Sequence, residues 1–289
     1  MEFSGWDAAA VCAKAATYAA TLGAAGAIFF LVYSNGLLLE PQRLRIRRLV
    51  GILLVVSAFA SCAKILLSAA SMSGDLAGMF DSDSARMILG AGEGRATGMR
   101  MAGLALAALA ILSNPRFRAL ALLGAATASI SFAGVGHIRA LQNLAPTLLL
   151  SAHLVCAAFW LGALAPMLIA AREGNDPQIA SIASRFGKLA VGVVLLLVAA
   201  GISVLWILIG DAAIFWSSDY GRMVAIKLFG VAALLSIAAM NKLYLTPKLL
   251  KGDRQAHIQF RRSVQTEMIV GALILLITAT FTTITGPPH

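Results

Sequence analysis

The chain has 289 residues, 60% of them hydrophobic and 12% charged, with a mean hydropathy of +0.85. A soluble domain carries about 25% charged residues, so this composition leaves too little polar surface for a water-soluble fold and indicates a polytopic membrane protein. The net charge of +10 is spread over short loops between apolar runs, which is a pattern of membrane topology and argues against a nucleic-acid-binding face.

A membrane helix needs about 20 mainly apolar residues, and the chain offers eight such stretches, giving an all-α bundle in one integral membrane domain, 1–289. The first, 9–39, is expected to be a retained span, because MEFSGWDAAAVCAK lacks the basic start of a secretory signal. It should stop at Glu40-Pro41, where proline opposes a continuing helix. The arginine-rich QRLRIRR follows, then the second span at 49–72. Residues 73–97 are rich in Gly, Ser and Asp and read as a loop with a short helix near Ala85–Leu89. The third span, 98–112, is short and closes at Ser113-Asn114-Pro115. The fourth spans 117–135, and the fifth 146–171, with Pro146 suited to a first helical turn. The last three are 182–209, 220–245 and 264–285.

Arginine and lysine orient this bundle. Arg43, Arg45, Arg47 and Arg48, then Arg116 and Arg118, then Arg172, Arg185 and Lys188, and finally Lys242, Lys248, Lys251, Arg254, Arg261 and Arg262 all fall on one side. The other side holds Lys14, Arg86, Arg95, Arg100, Arg139 and Arg222. Positive residues stay cytoplasmic, so both termini are expected to face outward, to the periplasm of a Gram-negative cell.

Polar groups inside apolar runs carry the functional reading. His137 falls at the outer end of span four, and His153 about two turns inside span five. Cys156 lies one turn deeper on roughly the same face. Cys12 starts span one from that side, and Met99 and Met101 start span three there. Imidazole suits copper in either oxidation state, while thiolate and thioether favour Cu(I). These groups therefore form a candidate metal set of His137, His153, Cys156, Cys12, Met99 and Met101. Each has a bland alternative: methionine fills gaps in apolar helices, and a membrane cysteine serves as a small apolar residue. His153 is the hardest to dismiss, since an ionisable group inside a span is a functional-site hypothesis by default. Cys12, Cys62 and Cys156 form no CxxC, so neither a zinc ribbon nor a disulfide framework is indicated. His257 reads as a solvated residue of a cytoplasmic loop.

Lys64, Lys227 and Glu267 are the remaining embedded charges. The lysines either snorkel towards headgroups or hold an anion or a helix carbonyl. Lys227 and Glu267 differ in depth, which argues against a direct pair; Glu267 is placed to cap Arg185 or Lys188, or to act as a gate. No GxxxxGK[ST] signature for ATP is present, and no clear polar path crosses the inner half.

From residue 136 onward the chain resembles the copper resistance protein D (CopD) family of bacterial inner-membrane proteins. The resemblance rests on an ordered set: Gly136-His137; His153 followed by AAFWLGAL with Trp160 and Gly162; Arg185-Phe186; Tyr220-Gly221-Arg222 and then Lys227; Asn241 and Pro247; Glu267; and Pro287-Pro288. Residues 1–135 share the span count and little else, so the chain divides into 1–135 and a CopD-like portion, 136–289. The resemblance implies a multi-pass inner-membrane protein without enzymatic activity that moves or delivers copper, with His137 and His153 as ligands. It also implies a periplasmic CopC-type carrier as a partner. Ile138, where relatives carry a small residue, departs from the pattern, and Cys156 is particular to this chain. A b-type haem or quinone-linked redox protein is the alternative, because helical bundles hold haem between paired histidines.

Overall fold

The computed structural model describes residues 5–112, 114–136 and 143–285. These are helical, with no strand among the described residues. The long helices are α1 (Gly5–Tyr33), α2 (Glu40–Ser73), α4 (Gly92–Ala107), α5 (Arg118–Ile130), α6 (Leu144–Gly162), α8 (Asp176–Ile209), α10 (Asp219–Met240) and α12 (Arg254–Ile284). Four shorter helices complete the set: α3 (Ser82–Gly90), α7 (Leu164–Glu173), α9 (Ala212–Ser217) and α11 (Thr246–Leu250).

Among the described residues, seven segments are long and apolar enough to cross a membrane. The missing eighth is α4, whose 16 residues fall short on their own. A 3₁₀ turn, Ala108–Ile111, continues it. At about 1.5 Å per α-helical and 2.0 Å per 3₁₀ residue, the two together reach roughly 30 Å, the thickness of a bilayer's hydrocarbon core. A contact between the two chain ends supports the even count. Lys14 Nζ, near the start of α1, donates to the Thr282 carbonyl near the end of α12 at 2.8 Å. The first and last spans therefore begin and finish at the same end of the bundle, called here the termini end.

Several boundaries differ from the sequence expectation for local reasons. Pro41 does not terminate the first span. The chain turns after Tyr33, and Pro41 occupies the first turn of α2, where the missing N–H costs nothing. The arginine-rich stretch is thus the opening of α2. The fifth span is two helices, α6 and α7, interrupted at Ala163 shortly before Pro166. The helix expected near Ala85–Leu89 is α3, capped by the Asp81 side chain, which accepts from Ser84 N at 2.9 Å.

Helix α1 occupies the centre, packed by α2, α5, α6 and α12. Its contact with α6 is a glycine seam: a side chain at Gly26 would run into the backbone of Ala158 and Gly162, and one at Gly162 into that of Leu22 and Gly26. Close backbone approach at small residues is how membrane helices gain packing when lipid gives no hydrophobic drive. Beside the seam, Phe159 and Phe186 stack at 5.2 Å between α6 and α8, with Phe30 of α1 against them. The end opposite the termini is stitched by polar ties. Arg45 pairs with Glu173. Gln178 Nε2 donates to Gln42 Oε1 at 2.9 Å and to the Leu37 carbonyl at 2.7 Å. His257 is no free loop residue: it lies in α12, with Nδ1 2.5 Å from Asp176 Oδ1 and Nε2 2.7 Å from the Ala171 carbonyl.

Candidate functional site

Three polar layers interrupt the apolar interior. The first lies near the termini end. Arg100 of α4 is 3% exposed. Its guanidinium donates from Nε to Ser131 Oγ at 3.1 Å and from Nη1 to Ser61 Oγ at 3.2 Å, and lies 4.2 Å from the centre of the Phe132 ring. Tyr18 packs edge-on against the same ring. Lys64 of α2 pairs with Glu93 of α4, so it neither snorkels nor waits for an anion. With Lys14 held on the Thr282 carbonyl, each embedded charge in this layer has a partner. Glu93 and Arg100 are seven residues apart on one helix, which places them on one face. That spacing was the available sequence signal for the network, and it was hidden because Glu93 falls in the polar stretch before the third apolar run.

The second layer centres on His153 of α6. The ring lies against the backbone of Gly201 in α8, and a Cβ there would stand 3.0 Å from Nδ1 and Cε1. Nδ1 is 2.9 Å from the Leu197 carbonyl. A carbonyl only accepts, so Nδ1 carries the proton and Nε2 keeps its lone pair. Among the described residues Nε2 has no hydrogen-bond partner. Lys227 of α10 is at a similar depth and acts electrostatically on the imidazole, with its Nζ 5.7 Å from the Phe281 ring centre. Cys156 is 7% exposed, inside the apolar core. Cys12 and Met99 are exposed on the bundle surface, and Met101 is half-buried against the core. His137 lies outside the described residues. Among the described residues, no three His, Cys, Asp or Glu side chains come close enough to hold a metal.

The third layer lies towards the opposite end. Glu267 of α12 is 4% exposed and accepts a hydrogen bond from Asn241 Nδ2; of its two expected partners, Arg185 and Lys188, Arg185 lies instead over the Tyr33 ring. Asn241 opens a π-turn, Asn241–Leu245, in which the Thr246 N–H reaches back to the Asn241 carbonyl. Pro247 explains the turn: its ring crowds the carbonyl four residues earlier, so the helix widens ahead of it. Beside this turn is a cavity of about 370 Å³. Trp160 and Met167 line it from α6 and α7, Val194 and Leu195 from α8, and Asn241, Lys242 and Glu267 from the turn and α12. It reaches the bundle surface, where Leu195 and Leu243 are exposed. Counting about 1.5 Å per residue, His153 lies about 14 Å and Glu267 about 25 Å from the termini end. Lys227, eight residues into α10, lies about 12 Å from that end and so differs in depth from Glu267, and the inner half does contain a polar feature.

Two family models match the chain. Residues 5–147 match the copper resistance protein D-like, N-terminal domain, and residues 180–281 match copper resistance protein D. The chain belongs to the copper resistance protein D family. The N-terminal half, which offered few recognisable residues, is thus part of the same family pattern. The stretch 148–179, which carries His153 and Cys156, falls between the two matches. No curated protein and no solved structure gives a significant match. Copper resistance and a multi-pass membrane fold follow from family and helices together; the copper site itself does not.

Proposed function

We propose that this protein moves copper across the bacterial inner membrane, or delivers it there, from a docking site in the half of the bundle near the termini. The observation that supports it best is His153: a part-buried imidazole whose Nδ1 proton is committed to the Leu197 carbonyl, leaving Nε2 with a free lone pair. Metal-binding histidines commonly give their second N–H to a carbonyl in this way, which fixes the tautomer and the ring plane. The concentration of Arg and Lys at the opposite end favours a periplasmic termini end.

In this reading His153 anchors the ion. Cys156, one turn deeper, and His137, from the segment leading into α6, are the candidates to complete the set. Cys12, Met99 and Met101 would serve as auxiliary ligands nearer the bundle surface. A thiolate or thioether in the set selects Cu(I), whereas imidazoles alone accept Cu(II) as well. A cysteine ligand must lose its proton, so binding through Cys156 would release one and strengthen with rising pH. Copper would reach the docking site from a periplasmic carrier of the CopC type, and would leave towards the cavity, whose lining residues Val194 and Leu195 are within a turn of Leu197.

The test is the metal content and optical spectrum of the purified protein beside His153→Ala and His137→Ala. Near-stoichiometric copper in the wild type, lost in both variants, is the expected result. A chain that binds no copper under saturating Cu(I), or that shows a Soret band, would overturn the reading in favour of an unrelated solute or haem.

A further inference from the structure

The polar layer at the π-turn contains more unmet hydrogen-bonding capacity than a structural tie needs. Asn241 Nδ2 donates to Glu267 Oε1, yet among the described residues Asn241 Oδ1 is buried with no partner, and so is Ser263 Oγ, one turn before Glu267 on α12. Asn241 and Ser263 are each 7% exposed, and Asn241 and Glu267 both line the cavity. Among the described residues, no cation pairs with the carboxylate. The other ionisable residue lining the cavity is Lys242, and its Nζ donates to the Gly187 carbonyl at 3.0 Å. Of the groups on the packed elements, Arg185 of α8 is over Tyr33, and α6 and α7 contribute Trp160 and Met167 to the wall.

An ionised carboxylate buried with one neutral donor is costly, and a single added proton removes the charge. It also supplies what the amide lacks. A carboxylic acid keeps one oxygen as acceptor and gains one O–H donor, while a primary amide offers both a donor and an acceptor. The acid form can therefore accept at Oε1 from Asn241 Nδ2 and offer an Oε2–H to the orphaned oxygen of the same amide.

We propose that Glu267 and Asn241 form a proton-binding site, with Glu267 held as the neutral acid and its proton exchanged with water through the adjoining cavity. The step is a simple proton transfer: the Oε2–H bond forms from hydronium, leaving water, and breaks by return of the proton to water. The groups left without hydrogen bonds, Asn241 Oδ1 and Ser263 Oγ, are oxygens like the carboxylate, which disfavours Cu(I) at this point, although the Met167 thioether lines the same cavity from α7. The site would serve as the proton side of an exchange against copper, and in that use alone it rests on the copper reading above.

The experiment is infrared difference spectroscopy of the full chain in liposomes without copper, comparing wild type with Glu267→Gln and Asn241→Leu. Expected is a carboxylic-acid carbonyl band at neutral pH that shifts on transfer to D₂O, is absent in Glu267→Gln and moves in Asn241→Leu. Identical acid-carbonyl regions in wild type and Glu267→Gln, or no D₂O-sensitive acid band in the wild type, would overturn the proposal. The D₂O shift needs no variant, so it stands even if a substitution fails to fold. Copper binding measured on the same wild-type sample separates the two readings: an acid band without copper binding removes the copper function and leaves the proton site in place.

Discussion

The two charged layers of the bundle are built from similar residues and put to opposite uses. Near the termini, Arg100 is spread over two serines and an aromatic ring, Lys64 is paired with Glu93, and Lys14 is bonded to a carbonyl. Towards the other end, Glu267 has one neutral donor, and among the described residues Asn241 Oδ1 and, one turn earlier on α12, Ser263 Oγ have no partner. The first layer is complete within the chain and has no need of a ligand. The second is incomplete within the chain, borders a cavity and interrupts a helix. A buried charge by itself does not distinguish scaffold from function, but the state of its partners does.

The comparison is most easily broken by the same substitution at both ends. Glu93→Gln leaves Lys64 unpaired beside Lys14 and Arg100. Removing one partner of a buried ion pair costs about 3–5 kcal/mol, and because Lys64 and Glu93 retain some exposure the lower end is expected, as a clear fall in thermal stability in detergent. Asn241→Leu should follow, at roughly 2 kcal/mol, because it strips a buried Glu267 of its one donor. Denaturation at two pH values refines this: with Glu267 already the neutral acid at neutral pH, the loss should be nearly the same at neutral and acidic pH. Gly201→Ala should perturb the His153 ring without removing a ligand. Its new methyl would crowd Nδ1, and disturbing a ligand's supporting contact typically weakens metal binding about 10-fold or more, read by copper titration. Glu267→Gln should be the mildest for stability, within about 1 kcal/mol, since a neutral amide can keep the Asn241 bond. If Glu267→Gln destabilises as much as Glu93→Gln, both layers are scaffold and the distinction fails.

Much of this architecture was readable from the chain. Hydropathy located the spans, the Arg and Lys distribution grouped the loops, and His153 stood out as an imidazole with no reason to be in an apolar run. Less legible were features that depend on contacts between distant segments. The partners of Lys64 and Arg100 come from α4, α2 and the turn after α5, and no local pattern joins them. Glu93 looked like a loop residue because α4 begins in a Gly-rich stretch whose composition argues against helix. The Asn241–Glu267 contact links residues 26 apart on neighbouring helices, and Pro247 entered only as a point of family resemblance, with nothing to mark it as the cause of a widened turn beside a cavity. His257 was misread because its two partners, the Ala171 carbonyl and Asp176, belong to α7 and α8, 86 and 81 residues earlier in the chain.

The central claim is that copper is held through the free nitrogen of His153, and the most direct measurement is X-ray absorption at the copper edge on the loaded protein, wild type beside His153→Ala. The account predicts an imidazole scattering signature in the wild type that is lost or reduced by one ligand in His153→Ala, with Glu267→Gln unchanged. An identical copper environment in wild type and His153→Ala, or one altered by Glu267→Gln instead, would contradict it.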